Sequence, residues 1–282
     1  MKRIAVCVLA LTLTAAGVLA LSGCTRSSTA SATQLTVTGS TTLLPIAEVA
    51  AEDFMSSNPG TRVLVSGVGS SAGIESVANG TCDIGTSSRE LKKEELSLGL
   101  VDTPVARDAI AVIVNPGNPV ASLTTSQVAD IFSGKVKNWS EVCPPGVTYD
   151  VPIGLVNRDE ASGTRQAFLD LVMKGRDFDP TAAVLPGTGQ VRSVVGQSSS
   201  AVGYISLGFV DPSVKAIVID GVAPTPATVA NKSYPVSRVL HFLTKGAPQG
   251  LAKQFVDFVL SSPIQDKVVP DAGFLPMSAG VK

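Results

Sequence analysis

The chain has 282 residues, of which 44% are hydrophobic, 5% aromatic and 16% charged, and its formal net charge is −1. A weakly acidic, aromatic-poor chain without a basic run lacks the features of a nucleic-acid-binding protein. The length suits one large or two medium domains and can bury a sizeable core.

The N-terminus has the layout of a secretory signal. A basic tripeptide precedes an uncharged apolar run at 4–20, and the sequence Leu-Ser-Gly-Cys ends at Cys24. The run is too short and wrongly flanked for a membrane span. Leu-Ser-Gly-Cys resembles the lipobox of bacterial lipoproteins, which implies removal of a signal peptide at 1–23 and acylation of Cys24. An ordinary signal peptide that happens to carry a cysteine is the alternative. The Ser/Thr/Ala-rich stretch 24–33 predicts a flexible tether.

Cysteine and histidine usage predicts neither a cofactor nor a metal site. Beyond Cys24, the mature chain keeps only Cys82 and Cys143, which could form a disulfide or remain free thiols. His241 is the single histidine, and no Cys/His cluster of the zinc-binding type exists.

Strand-like and helix-like segments alternate along the mature chain. Strands are predicted at 35–38, 62–68, 82–85, 109–114, 151–156, 201–205, 216–219 and 236–244, and helices at 44–57, 74–79, 125–132, 163–173 and 247–261. Such alternation is typical of α/β layers around mainly parallel sheets. Because the pattern restarts in the second half, we expect two lobes with a cleft between them.

Three predicted strand-to-helix turns share a Gly/Ser/Thr composition. They are Gly39-Ser40-Thr41-Thr42, Gly69-Ser70-Ser71-Ala72-Gly73 and Arg158-Asp159-Glu160-Ala161-Ser162-Gly163-Thr164. The first turn of a helix leaves backbone N–H groups free, and Ser or Thr adds a short donor. One such turn is more often simple capping. Three of them, at junctions that gather at the carboxyl ends of strands, favour a shared anion site.

Arg158 adds a cation to this set. Its planar guanidinium can match two oxygens of a tetrahedral oxyanion, although a surface ion pair with Asp159 or Glu160 is the alternative. Because the whole chain is slightly negative, local donors and not bulk charge must attract an anion.

The three turns together resemble those of the phosphate-binding protein family (PstS) of the ABC phosphate importer. Shorter similarities lie at 83–85, 87–89, 111–116, 138–139 and 201–205, so the resemblance spans most of residues 35–270. It implies a two-lobed periplasmic-binding-protein-like α/β fold of type II, with lobe 1 at 34–115 and 236–282 and lobe 2 at 116–235. It also implies chain crossings near 114–119 and 235–240.

The resemblance implies a phosphate site made of Ser40, Thr41, Thr42, Ser70, Ser71, Ser88, Asp108, Arg158, Ser162, Gly163 and Thr164. Some family members carry an aspartate at the position of Ser88, where a carboxylate accepts the proton of hydrogen phosphate and so excludes sulfate. Asp108 is the candidate substitute, with a capping or surface aspartate as the alternative. The implied protein is a monomeric, lipid-anchored, extracytoplasmic receptor that delivers phosphate to an ABC permease.

Other functions compete with this one. A binding protein for sulfate or molybdate would use the same cage. Gly69-Ser70-Ser71-Ala72-Gly73 also fits the nucleophile elbow of a serine hydrolase, with Ser71 as nucleophile and His241 as the only histidine base. A surface protein that keeps the fold but has lost binding, acting as an adhesin or sensor, is a third class. The hydrolase leaves the other two turns without a role, so we expect no enzyme.

Overall fold

The computed structural model describes residues 33–278. The predicted signal peptide at 1–23, Cys24 and the tether up to residue 32 lie outside the described residues. Within the described part of the chain, no helix combines the length and the apolar character that crossing a bilayer requires.

The strands are short except for one that runs through the middle of the molecule. They are β1 (Thr33–Gly39), β2 (Thr61–Gly67), β3 (Ile84–Ser87), β4 (Leu100–Val114), β5 (Ser122–Leu123), β6 (Gly154–Arg158), β7 (Ala183–Leu185), β8 (Ala201–Ser206), β9 (Lys215–Ala216), β10 (Val218–Ile219) and β11 (Ser237–Lys245).

Six of the helices described here lie between these strands, and two follow the last strand. They are α1 (Leu44–Ser57), α2 (Ser70–Asn79), α3 (Thr125–Phe132), α4 (Gly163–Phe168), α5 (Thr188–Gln197), α6 (Pro226–Ala230), α7 (Gly250–Val259) and α8 (Val269–Asp271). Two π-helical turns, Leu169–Met173 and Ile264–Val268, extend α4 and precede α8.

The main sheet joins two parallel flanks through an antiparallel centre. Its order is β2-β1-β3-β11-β4-β8-β6-β7, with β9 also on β4. On one flank β1 pairs in parallel with β2 and β3, and on the other β6 pairs in parallel with β7 and β8. β4 and β11 are antiparallel to each other and to their outer neighbours β8 and β3. Parallel flanks bring the carboxyl ends of their strands to one edge, where the helices begin.

Each flank packs its own hydrophobic core. The first core contains Val37, Ile46 and Phe54 and takes in Val105 and Ala106 of β4. The second core contains Phe132, Trp139 and Tyr204 and takes in Ala109, Ile110, Val112 and Val114 of the same strand. β4 therefore passes from one core to the other between Ala106 and Ala109.

The crossings differ in one respect from the sequence-based expectation. The first was predicted near 114–119, whereas β4 changes core earlier, because the strand begins at Leu100 and serves both flanks without a break. On the return, Val236 belongs to the second core and Leu240 to the first, within the predicted interval 235–240.

Local structure follows the sequence pattern closely in several helices. α1 has Pro45 in its first turn and buries Ile46, Ala47, Ala50 and Phe54, which recur at helical spacing. α3 begins at a capping box between Thr124 and Gln127. α2 was predicted to begin at Ile74 but begins at Ser70, so its two serines form the first turn of the helix.

The two remaining cysteines are free thiols. Cys82 packs in a small cluster with Ile74, Val77 and Leu243, and Cys143 lies against the second core. Burial, followed by the charge of Asp83, raises the pKa of the Cys82 thiol to about 11. The disulfide that the sequence left open is therefore not formed in this structure.

Candidate anion-binding site

Four strand-to-helix turns meet at the junction of the two flanks. From the first flank come the turn before α1 and the turn before α2, whose N-cap is Gly69. From the second flank come the turns before α4 and α5, with Ser162 and Gly187 as N-caps. The meeting of several helix N-termini concentrates free N–H groups and positive dipole ends in one place.

Hydroxyl groups from the two flanks face each other across this junction. The Oγ1 atoms of Thr42 and Thr164 are 3.2 Å apart, and those of Thr41 and Thr188 are 3.1 Å apart. Thr42, Thr164 and Thr188 are fully buried. Both distances exceed the usual 2.7–2.8 Å of a hydroxyl–hydroxyl bond. The hydroxyls are thus grouped without making good bonds to one another, and can turn toward a stronger acceptor such as an oxyanion.

Ser70 and Ser88 form a third hydroxyl pair, which is buried, with 3.3 Å between their Oγ atoms. Ser70 Oγ also accepts a hydrogen bond of 3.0 Å from the backbone N–H of Ser88. Gly163 lies against this pair, because a Cβ atom at that position would come within 2.2 Å of Ser70 Oγ and 2.7 Å of Ser88 Oγ. The approach of α4 to α2 therefore depends on the missing side chain at Gly163.

Replacing Gly163 with alanine is expected to weaken anion binding about tenfold, because overpacking costs about 1–3 kcal/mol. Calorimetric titration of the variant with an oxyanion measures the change in affinity. Gly189→Ala is the matched control, since a Cβ atom there meets nothing within 4 Å. Equal affinities of the two variants would contradict the close approach.

Arg158 is the one predicted cation of the site, and it is 2% exposed. Its Nε donates to Leu185 O at 3.1 Å and one terminal nitrogen donates to Pro186 O at 2.8 Å. The terminal nitrogens also reach the Oγ1 atoms of Thr188 and Thr41, at 3.2 and 3.4 Å. All these acceptors are neutral oxygens. Burial lowers the pKa of Arg158 from its ordinary value. The guanidinium nevertheless keeps its positive charge, because an arginine side chain is always protonated in proteins.

Arg238 is a second buried guanidinium, and the sequence did not single it out. Its Nε and one terminal nitrogen donate to Asp108 Oδ2 at 2.9 and 2.7 Å. The other terminal nitrogen donates to Thr164 Oγ1 at 2.9 Å and to Ser88 O at 3.1 Å. Arg238 also contacts Thr42 Oγ1 at 3.3 Å. It therefore touches turns from both flanks.

Asp108 lies behind Arg238 and is 1% exposed. Besides the bonds from Arg238, its Oδ1 accepts a 2.9 Å hydrogen bond from Ser206 Oγ. Burial raises the pKa of Asp108, and the adjacent Arg238 charge and hydrogen bond oppose that rise. Asp108 thus balances one of the two guanidinium charges, so the Arg158, Arg238 and Asp108 set carries a net charge of about +1.

The remaining predicted residues support the turns. Ser40 Oγ accepts a hydrogen bond from Thr42 N at 3.2 Å, and Ser162 Oγ accepts one from Arg165 N at 3.2 Å as an N-cap.

Ser71 is half-buried and contacts both flanks. Its N–H donates to Ala161 O at 3.0 Å, and its Oγ accepts from Arg89 at 3.1 Å. Arg89 itself forms an ion pair of 2.6 Å with the Glu95 carboxylate and also donates to the backbone carbonyl of Glu90 at 2.9 Å.

This geometry coincides with close similarity to known binding proteins. A PBP superfamily domain matches residues 25–263. The phosphate-binding protein PstS of Bacillus subtilis (strain 168) is 35% identical over 248 residues, which cover 86% of this chain and 81% of the relative. The chain belongs to the PBP superfamily and, within it, to the PstS family.

Solved structures of PstS family members share the fold. A phosphate ABC transporter substrate-binding protein from Clostridium perfringens, with bound phosphate, matches at a TM-score of 0.82 and 38% identity, over 87% of this chain and 100% of that one. An ABC-type phosphate transport receptor from Vibrio cholerae matches at 0.72 and 35%, over 86% and 99%. The predicted two-lobed α/β fold is confirmed.

Two buried residues at the candidate site of this PstS family member were missed from sequence. Thr188 begins α5 in Gly187-Thr188-Gly189, a fourth turn with the same composition as the first three. That composition was visible and could have revealed it. Arg238 stands in an apolar strand sequence, Val236-Ser237-Arg238-Val239-Leu240, where a lone charge is unusual unless it is paired. That signal was weaker, because the partner Asp108 is distant in sequence.

The serine hydrolase alternative fails on geometry as well as on family. Ser71 Oγ contacts Arg89, whereas His241 contacts Asp102 and Glu90. Among the described residues, no hydrogen bond links Ser71 to His241, so the nucleophile and base of a catalytic pair are not assembled.

Proposed function

We propose that this chain captures inorganic phosphate between its two lobes and delivers it to an ABC permease, without chemical turnover. One observation carries the proposal. The buried guanidinium of Arg158 donates only to neutral oxygens and stands next to buried hydroxyls that come from both flanks of the sheet. A buried cation of this kind gains most from an anionic partner. The relatives named for phosphate binding point to the same ligand.

The proposed ligand set consists of hydroxyls, helix N-termini and two guanidiniums. Thr42, Ser70, Ser88 and Thr164 supply hydroxyls, and Ser40, Thr41, Ser71, Ser162 and Gly163 shape or cap the turns that present backbone N–H groups. Charge-assisted hydrogen bonds contribute about 1.5–3 kcal/mol each. Several of them reach the free energy of about −8 kcal/mol that corresponds to micromolar binding.

Selectivity for phosphate over sulfate requires an acceptor for the proton of hydrogen phosphate. Asp108 stays the predicted acceptor, and its bonds to Arg238 give it a second task, which is to neutralise that guanidinium. Sulfate or molybdate binding is the alternative function, because both anions fit the same donors. A carboxylate near the anion favours a protonated ligand over a fully ionised one.

Ligand capture in this proposal closes the lobes on the anion. We assign residues 34–115 and 236–282 to lobe 1 and 116–235 to lobe 2, apart from the end of β4, which packs with the second core. Contacts such as Thr42 with Thr164 bridge the lobes. An anion that binds both sides shifts the open–closed balance because its affinity for the closed form is higher.

The proposed location is the outer face of the bacterial cell membrane or the periplasm. The signal-like N-terminus and the lipobox at Cys24 support a lipid anchor, and we propose that the anchored chain is a monomer. The closed form would then dock on the permease.

Isothermal titration with phosphate, arsenate, sulfate and molybdate tests the ligand. Phosphate and arsenate, which both carry a proton near neutral pH, are expected to bind, and sulfate and molybdate to bind far more weakly. If sulfate or molybdate bound more tightly than phosphate, the proposal of phosphate as the ligand would be wrong. If none of the four anions gave a binding signal, the proposed function as an anion-binding protein would be contradicted.

A further inference from the structure

His241 lies outside the anion site, and one of its two ring nitrogens lacks a hydrogen-bond partner among the described residues. The ring is buried on β11, and its Nδ1 is 2.8 Å from Asp102 Oδ1 on β4. The Nε2 atom is buried and makes no hydrogen bond within the described part of the chain. It points to the Glu90 carboxylate, whose Oε1 is 3.4 Å away.

The hydrogen bond to Asp102 determines what Nε2 can do. A carboxylate can only accept, so the proton of a neutral imidazole lies on Nδ1. Nε2 then presents a lone pair to the negatively charged oxygen of Glu90. Two acceptors that face each other at 3.4 Å repel unless a positive charge lies between them.

The distance fits a bound metal ion. Two donors that each lie about 2.0–2.1 Å from a tetrahedral Zn²⁺ are themselves about 3.4 Å apart. Candidate ligand atoms of Glu90, Asp102 and His241 all lie within 4.8 Å of one another. A histidine that binds a metal through one nitrogen commonly donates the other to a carboxylate, as His241 does to Asp102.

We propose that Glu90 and His241 form a surface site for a divalent transition-metal ion, with Zn²⁺ as its best probe. His241 Nε2 and the Glu90 carboxylate bind the ion directly, and Asp102 orients the ring. The Glu90 side chain is 75% exposed, so water completes the coordination. The imidazole nitrogen favours Zn²⁺ and its neighbours, because Ca²⁺ and Mg²⁺ prefer oxygen donors alone.

The sequence predicted no metal site because it contains no cluster of histidines and cysteines. The three side chains come from a turn after β3 and from the strands β4 and β11, which are far apart in the chain. Only the pairing of these strands brings them together.

Nitrogen-15 NMR of the mature chain, free of any histidine tag, tests the proposal directly. Since His241 is the only histidine, its two ring signals are unambiguous. Addition of ZnCl₂ in phosphate-free buffer is expected to shift the Nε2 signal and to leave Nδ1 protonated. A ring that keeps protons on both nitrogens and does not respond to Zn²⁺ would overturn the proposal, because an imidazolium would then satisfy both carboxylates.

Variants test the contributions of the direct ligand Glu90 and the positioning residue Asp102. Glu90→Gln is expected to weaken Zn²⁺ binding at least about tenfold, and Asp102→Asn about 10–100-fold, as measured by competition with a zinc-sensitive dye. Glu90 is exposed, so its variant folds even where replacement of buried His241 does not. Glu94→Gln, an exposed carboxylate from the same turn, is the matched control. A loss of equal size in the Glu94 variant would show non-specific binding to surface carboxylates and contradict the site.

Discussion

Replacing Arg158 with glutamine is expected to weaken phosphate binding by at least about 100-fold. The loss follows from two charge-assisted hydrogen bonds of about 1.5–3 kcal/mol each, and 1.4 kcal/mol corresponds to a factor of ten. Arg158 is the guanidinium of the site that has no carboxylate bonded to it among the described residues. Calorimetric titration of the purified variant with phosphate measures the change.

The control for this variant removes an arginine of the surface. Arg192→Gln breaks an ion pair of 3.0 Å with Asp211, in which the side chains are 35% and 40% exposed. Phosphate affinity should then be unchanged. Circular dichroism must show that the Arg158 variant is folded, because its guanidinium also holds the carbonyls of Leu185 and Pro186. A folded Arg158 variant with unaltered affinity would remove Arg158 from the site.

Replacing Asp108 with asparagine is expected to destabilise the ligand-free protein by about 3–5 kcal/mol, because one partner of a buried ion pair is left alone. Both side chains are almost inaccessible, 4% exposed for Arg238 and 0% for Asp108. A loss of this size lowers Tm by roughly 10 °C in a protein of this length. Differential scanning calorimetry measures it. Asp211→Asn breaks the exposed pair with Arg192 and should cost less than about 1 kcal/mol.

The same Asp108 variant should also lose selectivity. With the carboxylate neutralised, the Arg238 charge becomes available to the ligand, and no acceptor remains for the phosphate proton at this position. We expect sulfate to bind more tightly than it does to the unmodified chain, so that the gap between phosphate and sulfate narrows. Both anions should then raise Tm of the variant. A gap of unchanged size would mean that another residue accepts the proton.

Much of the fold could be predicted from local patterns. Helices α1 and α3 have the predicted bounds. A proline marks the beginning of α1, a capping box marks the beginning of α3, and apolar residues recur at helical spacing in both. The bounds of β4 could not be predicted. Its first third, from Leu100 to Pro104, is largely exposed and does not alternate between apolar and polar residues. This segment forms a strand because β11 pairs with it. Tertiary pairing of this kind leaves no local signal.

The site divides in the same way. The turns with Thr42, Ser70 and Thr164 could be predicted because glycine and hydroxyl residues at a strand-to-helix junction have a local physical reason. Arg238 could not, because its ion pair with Asp108 forms only across the pairing of β4 with β11. The spacing of residues along the chain shows which donors share one turn. An ion pair between two strands can be recognised only when the pairing register of those strands is known.

A crystal structure of the mature chain with phosphate tests the central claim most directly. The account predicts one phosphate ion between the lobes, within hydrogen-bond distance of Thr42 and Thr164 from opposite flanks and of a guanidinium nitrogen of Arg158. An ion bound by residues of a single flank, or one that leaves the Arg158 guanidinium facing only carbonyl oxygens, would contradict it.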